Sequence, residues 1–172
     1  MAIAKKIINF LEKNKIKYEI IEHRTVYTAF DKAATLKIKP RTVGKTLVLK
    51  TEKGLVLALI PADKNLDLKK AKKLLKAKKV DFATERVIKN KLKGVKIGAI
   101  PPFGVLWKIP TLVERAVLKE SKIILNSGDH NCSIKMTPAS FKKLVAELII
   151  GSFSGQRKTK KSKKPKKKKK RK

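Results

Sequence analysis

The sequence predicts an α+β domain, on three observations. Apolar residues recur at helical spacing in several short stretches, and these are scattered among segments that alternate or run apolar as strands do. The two kinds of segment do not alternate regularly, which argues against a βαβ array. Between them "GVKIGAIPPFG", residues 94–104, carries three glycines and two adjacent prolines, so it is a shaped loop and neither a helix nor a central strand. No internal repeat is visible.

Taken in order, Ile3, Ile7, Phe10 and Leu11 predict a first helix over about Ala2 to Asn14, and a strand follows near Tyr18 to Glu22. Thr28 with Asp31 three positions on is a capping-box-like start for a short helix ending before Lys39-Pro40. Thr46–Leu49 and Leu55–Ile60 flank the polar turn Thr51-Glu52-Lys53-Gly54 and read as a β-hairpin. Leu68, Ala71, Leu74 and Leu75 make Asp67 to Lys76 an amphipathic helix. "KVDFA" is a short strand candidate, and Thr84 can cap a helix through Val87 and Ile88 toward Leu92. Beyond the loop, strands are expected at Val105–Trp107, Lys122–Asn126 and Cys132–Met136, with "SGDHN" joining the last two. Thr137-Pro138 opens a final helix, buried through Phe141, Leu144, Val145 and Leu148.

A chain of 172 residues with 42% hydrophobic residues builds about one domain with one continuous core. The net charge of +33 points to an anionic partner of high charge density, such as nucleic acid or an anionic membrane. Aromatic residues make up 5%, too few for a broad base-stacking surface. No helix combines a lysine-rich face with bulky interfacial aromatics, which argues against the membrane. "QRKTKKSKKPKKKKKRK", residues 156–172, holds 13 Lys or Arg and no acid; without it the chain retains 33 basic against 13 acidic residues, still +20. We therefore divide the chain into a domain at 1–153 and a lysine-rich tail at 154–172, expected to be disordered when free. Arg157, Lys158, Lys160 and Lys161 would attract RNA phosphates, with a steep salt dependence; a nuclear address or a solubilising tail is the competing reading. Cys132 is the sole cysteine, which excludes an intramolecular disulfide, leaves no cysteine cluster for zinc, and suggests a reducing compartment. No signal peptide and no apolar run near the ~20 residues of a membrane span are visible, so a soluble, cytoplasmic protein is expected.

Standard catalytic signatures are missing: there is no P-loop, no G-x-S-x-G elbow and no H-E-x-x-H. No carboxylates are suggestively spaced for a metal, so a site without metal or cofactor is expected. Three local features are candidates. Lys45 stands at the entrance of a strand that should be buried, so its ammonium either reaches a pocket mouth or snorkels to water. Gly98 to Gly104 offers unencumbered backbone N–H groups held by proline, suited to an oxyanion, or is simply a tight turn. Gly128-Asp129-His130 is either a polar hairpin tip or the rim of a site. Cys132, two positions after His130, is a conceivable nucleophile partner for it but reads better as a buried inert thiol; His23 reads as a loop residue.

The stretches "TVYTAFDKAA", "VGKTLVLKTEKGLVLALIPADKNLDLKKAKKLL", "IGAIPPFG" and "ILNSGDHNCSIKMTPASFKKL" together resemble the YbaK/prolyl-tRNA-synthetase-associated editing domain family, over residues 25–144. The resemblance implies a mixed, barrel-like sheet flanked by helices, and a hydrolase that clears mischarged aminoacyl-tRNA, alone or with a synthetase. It implies that Lys45 orients the terminal nucleotide, that Gly98, Pro101 and Gly104 shape the loop beside it, and that Gly128 and His130 form the opposite wall. Tyr27, Thr28, Ile100, Pro102, Phe103 and Asp129 would contact substrate, with Phe30 a further pocket candidate. A non-catalytic RNA- or ribosome-binding protein that keeps the fold is the alternative.

Overall fold

The computed structural model describes residues 4–145 and 147–157. Its helices are α1 (Lys5–Lys13), α2 (Ala29–Leu36), α3 (Leu68–Leu75), α4 (Glu85–Lys91) and α5 (Pro138–Leu144). Four begin where a side-chain oxygen satisfies an otherwise unpaired amide of the first turn. Thr28 accepts from the Asp31 N–H, Asp67 from those of Lys69 and Lys70, Thr84 from that of Val87, and Thr137 from that of Ser140.

The strands are β1 (Glu19–Glu22), β2 (Gly44–Thr51), β3 (Gly54–Pro61), β4 (Lys64–Leu66), β5 (Val80–Phe82), β6 (Thr111–Glu114), β7 (Ile123–Asn126), β8 (Cys132–Met136), β9 (Leu148–Gly151) and β10 (Ser154–Gln156). They form a five-stranded mixed sheet, β5-β2-β3-β6-β9, a three-stranded sheet, β1-β8-β7, and the pair β10-β4. A parallel bridge between Val43 and Ile124 joins the two larger sheets just before β2. The α+β class holds, but the expected barrel-like sheet does not close. The outer strands β5 and β9 do not pair with each other; α3 packs against both, with Ala71 buried and Leu74 against Gly151.

Two expectations after the loop change. Gly104–Trp107 is a 3₁₀ turn and not a strand, because the Leu106 N–H bonds back to the Phe103 carbonyl, that of Ile109 to Gly104, and Lys108 is left-handed at φ 56. The strand lies instead at β6, after Pro110. Leu148, placed on the final helix, starts β9, since α5 stops at Leu144 and Val145 is extended. The principal core gathers Ile7 and Leu11 of α1, Leu59, Val113, Leu125, Ile134 and Phe141 around Phe103. A second lies under α3 and includes Phe153.

Ser154, Gly155 and Gln156, assigned above to the tail, pair with Leu66, Asn65 and Lys64. The buried Glu114 carboxylate accepts from the N–H groups of Phe153 and Ser154 and from the Ser154 hydroxyl, at 2.8, 2.9 and 2.8 Å. A buried acid thus fixes the turn that brings the chain back to β4. Beyond Arg157, the expected disordered tail, including Lys158, Lys160 and Lys161, lies outside the described residues.

Candidate active site

A cavity of about 230 Å³ opens where four segments meet: residues 26–29 with α2, the start of β2, the loop at 98–99, and the β7–β8 turn. β2 positions its share through register. Opposite Lys45 stands Ile60 of β3, whereas on its other edge β2 pairs with β5 only at Leu49–Thr51. Lys45, Thr46 and Leu47, on the stretch without that second partner, line the cavity. Gly44 lets the strand sit close: a Cβ there would fall 2.7 Å from a Leu59 methyl and 3.0 Å from one of Leu125.

The Lys45 ammonium donates to the Lys64 carbonyl at 2.9 Å. Its pKa is lowered from the ordinary lysine value, first by burial and then by Arg157, with Asp63 acting the other way. Arg157 itself lies with its guanidinium 4.4 Å from the centre of the exposed Phe30 ring, so of the four expected tail contacts the one described is held beside the cavity residues of α2. Across the cavity, Gly98 is in the left-handed region at φ +82, and a Cβ on it would lie 3.4 Å from His130 Cε1. The His130 ring packs on Tyr27, 4.9 Å between centroids, and its carbonyl accepts from the Val26 N–H. Loop and turn are laced together: the Gly128 N–H donates to Ala99 at 2.7 Å, and that of Lys96 to Gly128 at 2.9 Å.

Lys45, Gly98, His130, Tyr27, Thr28 and Asp129 therefore share one cavity. Thr28 is already engaged as the α2 cap. Asp129, 3% exposed, pairs with Lys96 at 2.8 Å and accepts from the Asn131 N–H. Burial pushes its carboxyl up, but Lys96 and the amides of Asn131 and His130 outweigh that and hold it below the usual range.

The other candidates do not line the cavity. Phe103 has no exposed surface and packs between Phe10 and Phe141, so it cannot touch substrate there. Ile100 is buried against Val48, Leu57 and Leu92. Pro101 and Pro102 are buried and do not line the cavity. The Gly104 amide is spent on the Thr111 hydroxyl at 3.2 Å, and that of Ala99 on the Lys96 carbonyl. The Gly98 N–H, unlike that of Gly104, has no hydrogen bond among the described residues. Gly128 turns the hairpin behind the wall, against Val95 and Ile7. Cys132 is buried outside the cavity, its thiol raised by burial and its sulfur 3.1 Å from the Ser127 hydroxyl. His23 is held by the Ser133 hydroxyl and the Arg24 carbonyl.

Two cavity residues carry charge or hydrogen-bonding capacity that the sequence reading did not single out. Lys32, only 4% exposed, donates to Asn126 Oδ1 at 2.7 Å, and burial lowers its pKa to about 8, Cys132 opposing. Its signal was present: Ala29, Lys32, Ala33 and Leu36 share one face of α2. Asn126 fixes that pair by donating its amide to the Ile100 carbonyl at 3.3 Å. No group of three or more His, Cys, Asp or Glu placed to hold a metal occurs among the described residues, and no helix there is long and apolar enough to cross a membrane.

A family profile described as an aminoacyl-tRNA editing domain matches residues 23–144. The prolyl-tRNA editing protein ProX of Acetoanaerobium sticklandii is 28% identical over 145 residues, covering 81% of this chain and 88% of that protein. A proline–tRNA ligase of Kosmotoga olearia is 35% identical over 100 residues, 58% of this chain but 17% of the ligase. Among solved structures, the hypothetical protein APE2540 superposes with a TM-score of 0.78 at 21% identity, covering 88% of this chain and 100% of that one, a likeness of fold.

Proposed function

The chain belongs to the aminoacyl-tRNA editing domain family, and on that premise we propose that it hydrolyses the ester of mischarged aminoacyl-tRNA, freeing the amino acid from the 3′-terminal adenosine. One observation carries the reading: Lys45, Gly98 and His130, from three separate segments, line a single cavity. At about 230 Å³ it falls below the ~300 Å³ at which sites for whole small molecules begin, which suits the acylated end of a longer molecule. Relatives named for prolyl-tRNA editing and proline–tRNA ligation support the substrate class.

The chemistry follows from what an activated ester needs: an oriented carbonyl, a donor for the oxyanion and a placed water. Lys45 spends one N–H on the Lys64 carbonyl and keeps two for the terminal nucleotide. We assign the oxyanion to the Gly98 amide and the attacking water to His130, which lies against Gly98. Water adds to the carbonyl carbon; collapse of the tetrahedral intermediate expels the ribose oxygen, and the vicinal hydroxyl relays a proton to it. Neither a protein nucleophile nor a metal is needed in this scheme. The basic tail adds phosphate attraction along the acceptor strand. We place the enzyme in the cytoplasm, where tRNA is charged, and an aminoacyl-tRNA synthetase is the natural delivering partner.

The test is release of labelled amino acid from a panel of mischarged tRNAs. Wild type should release at least one amino acid, and Lys45→Ala should lower kcat/KM by about 10²-fold, the scale on which misplacing a substrate acts. If neither protein releases any amino acid while both bind tRNA, the RNA-binding alternative replaces this reading.

A further inference from the structure

Lys32 is the most deeply buried cation of the cavity, and its surroundings do not satisfy it. An ammonium has three donors. Lys32 has one acceptor within hydrogen-bonding distance among the described residues, the neutral amide oxygen of Asn126, and no carboxylate within ion-pair distance. Asn126 cannot turn away without losing its own bond to the Ile100 carbonyl. Thr46 also lines the cavity, its hydroxyl buried and without a hydrogen bond among the described residues. The cavity lining also includes the apolar residues Val26, Ala29, Leu47 and Ala99.

The under-satisfied Lys32 ammonium is poorly matched to an aliphatic side chain. Placing a methyl group against Lys32 would remove what water reaches its ammonium and return no hydrogen bond to its unused donors. Pockets of one kind discriminate weakly by a single methylene, whereas a site built to bond a polar group strongly rejects an analogue that lacks it. Lys45 and Arg157 add positive charge nearby, and the Asp129 carboxylate is neutralised by Lys96.

We propose that the aminoacyl side chain this cavity accepts carries an acceptor oxygen, a hydroxyl or a carboxylate, and that Lys32 is the residue that reads it. The inference rests on the deacylase reading above and names its substrate class. Lys32 then acts on selectivity: it bonds the distal oxygen of the side chain while Lys45 holds the nucleotide.

The experiment compares kcat/KM for seryl-, threonyl-, aspartyl- and alanyl-esters on the same tRNA. Wild type should favour at least one oxygen-bearing ester over alanyl by tenfold or more. In Lys32→Met, which keeps the length and removes the donors, that ratio should fall toward one. Lys32→Gln, which keeps donors without charge, should retain a hydroxyl preference and lose a carboxylate preference, so the aspartyl and seryl arms separate the two sources of oxygen. Circular dichroism establishes that each variant is folded, and the ratio within one variant is unaffected by its folded fraction. Preference for alanyl ester in wild type, or an unchanged ratio in both variants, overturns the proposal while leaving the deacylase reading intact. Hydrolysis of none of these four esters overturns this proposal, and of none in the wider mischarged panel overturns the deacylase reading as well.

Discussion

Gly98 and Gly104 are the two ends of one seven-residue loop, yet they answer to different parts of the molecule. At Gly104 a Cβ would lie 2.4 Å from the Ile109 carbonyl oxygen and 2.5 Å from the Thr111 hydroxyl; at Gly98 the nearest atom would be His130 Cε1, at 3.4 Å. One end is closed by the core, with its amide bonded and Phe103 sealed beside it. The other borders the cavity with its amide free of hydrogen bonds among the described residues. The proline pair between them, buried, joins a structural half to a half available for chemistry. What this teaches is that a motif read as one unit in sequence divides its labour at residue 100.

The division can be broken most forcefully on the core side. Phe103→Ala should cost about 3–5 kcal/mol of unfolding free energy, measured by urea denaturation, while the folded fraction keeps its specific activity. A larger loss of activity than of folded protein would mean that the core half takes part in chemistry after all.

Lys32 sharpens the contrast from the cavity side, because there the fold carries a cost. Its folded pKa of about 8 lies below the ordinary 10.5, so below pH 8 the buried charge opposes folding in full. Between about pH 8 and 10.5 the folded chain has released the proton that the unfolded chain still holds, and stability rises with pH by about 3 kcal/mol. Unfolding curves of wild type and Lys32→Met should therefore converge as pH rises through that window. Parallel curves would mean that the ammonium is not buried in the native state.

Gly98→Ala should cost about 1–2 kcal/mol for a side chain at positive φ and lower deacylation by tenfold or more, the reverse balance to Phe103→Ala. The smallest effect belongs to the rim: Arg157→Ala should cost about 0.5–1 kcal/mol, since no guanidinium then stacks on Phe30. Deleting 158–172, which spares β10, should reduce the log–log salt slope of tRNA binding by roughly 0.7 to 0.9 for each phosphate the tail had neutralised, with turnover at saturating tRNA retained.

Much of the fold was legible wherever the determinant is local. Thr28, Asp67, Thr84 and Thr137 announce helix starts because the capping oxygen and the amide it serves lie within three residues. The β2–β3 hairpin follows from its turn. What escaped depends on distant partners: β6 and β9 are four residues each and become strands by parallel pairing across long sequence gaps, and the role of Glu114 appears only when Phe153 and Ser154 return to it. Lys45, Gly98 and His130 could be picked from sequence through the motifs around them. Lys32 sits on an otherwise apolar face of α2 that is legible in sequence, but among 46 basic residues that signal gains weight only once the face is seen to pack.

The Glu114-pinned turn and β10 carry a kinetic consequence. They deliver the chain to Arg157 beside Phe30, and fifteen residues follow, twelve of them Lys or Arg. A covalent tether of that length spans at most about 50 Å, so on the proposed reading an acceptor strand seated at the cavity would meet these cations at an effective concentration on the order of millimolar, set by the tether and independent of how dilute the enzyme is.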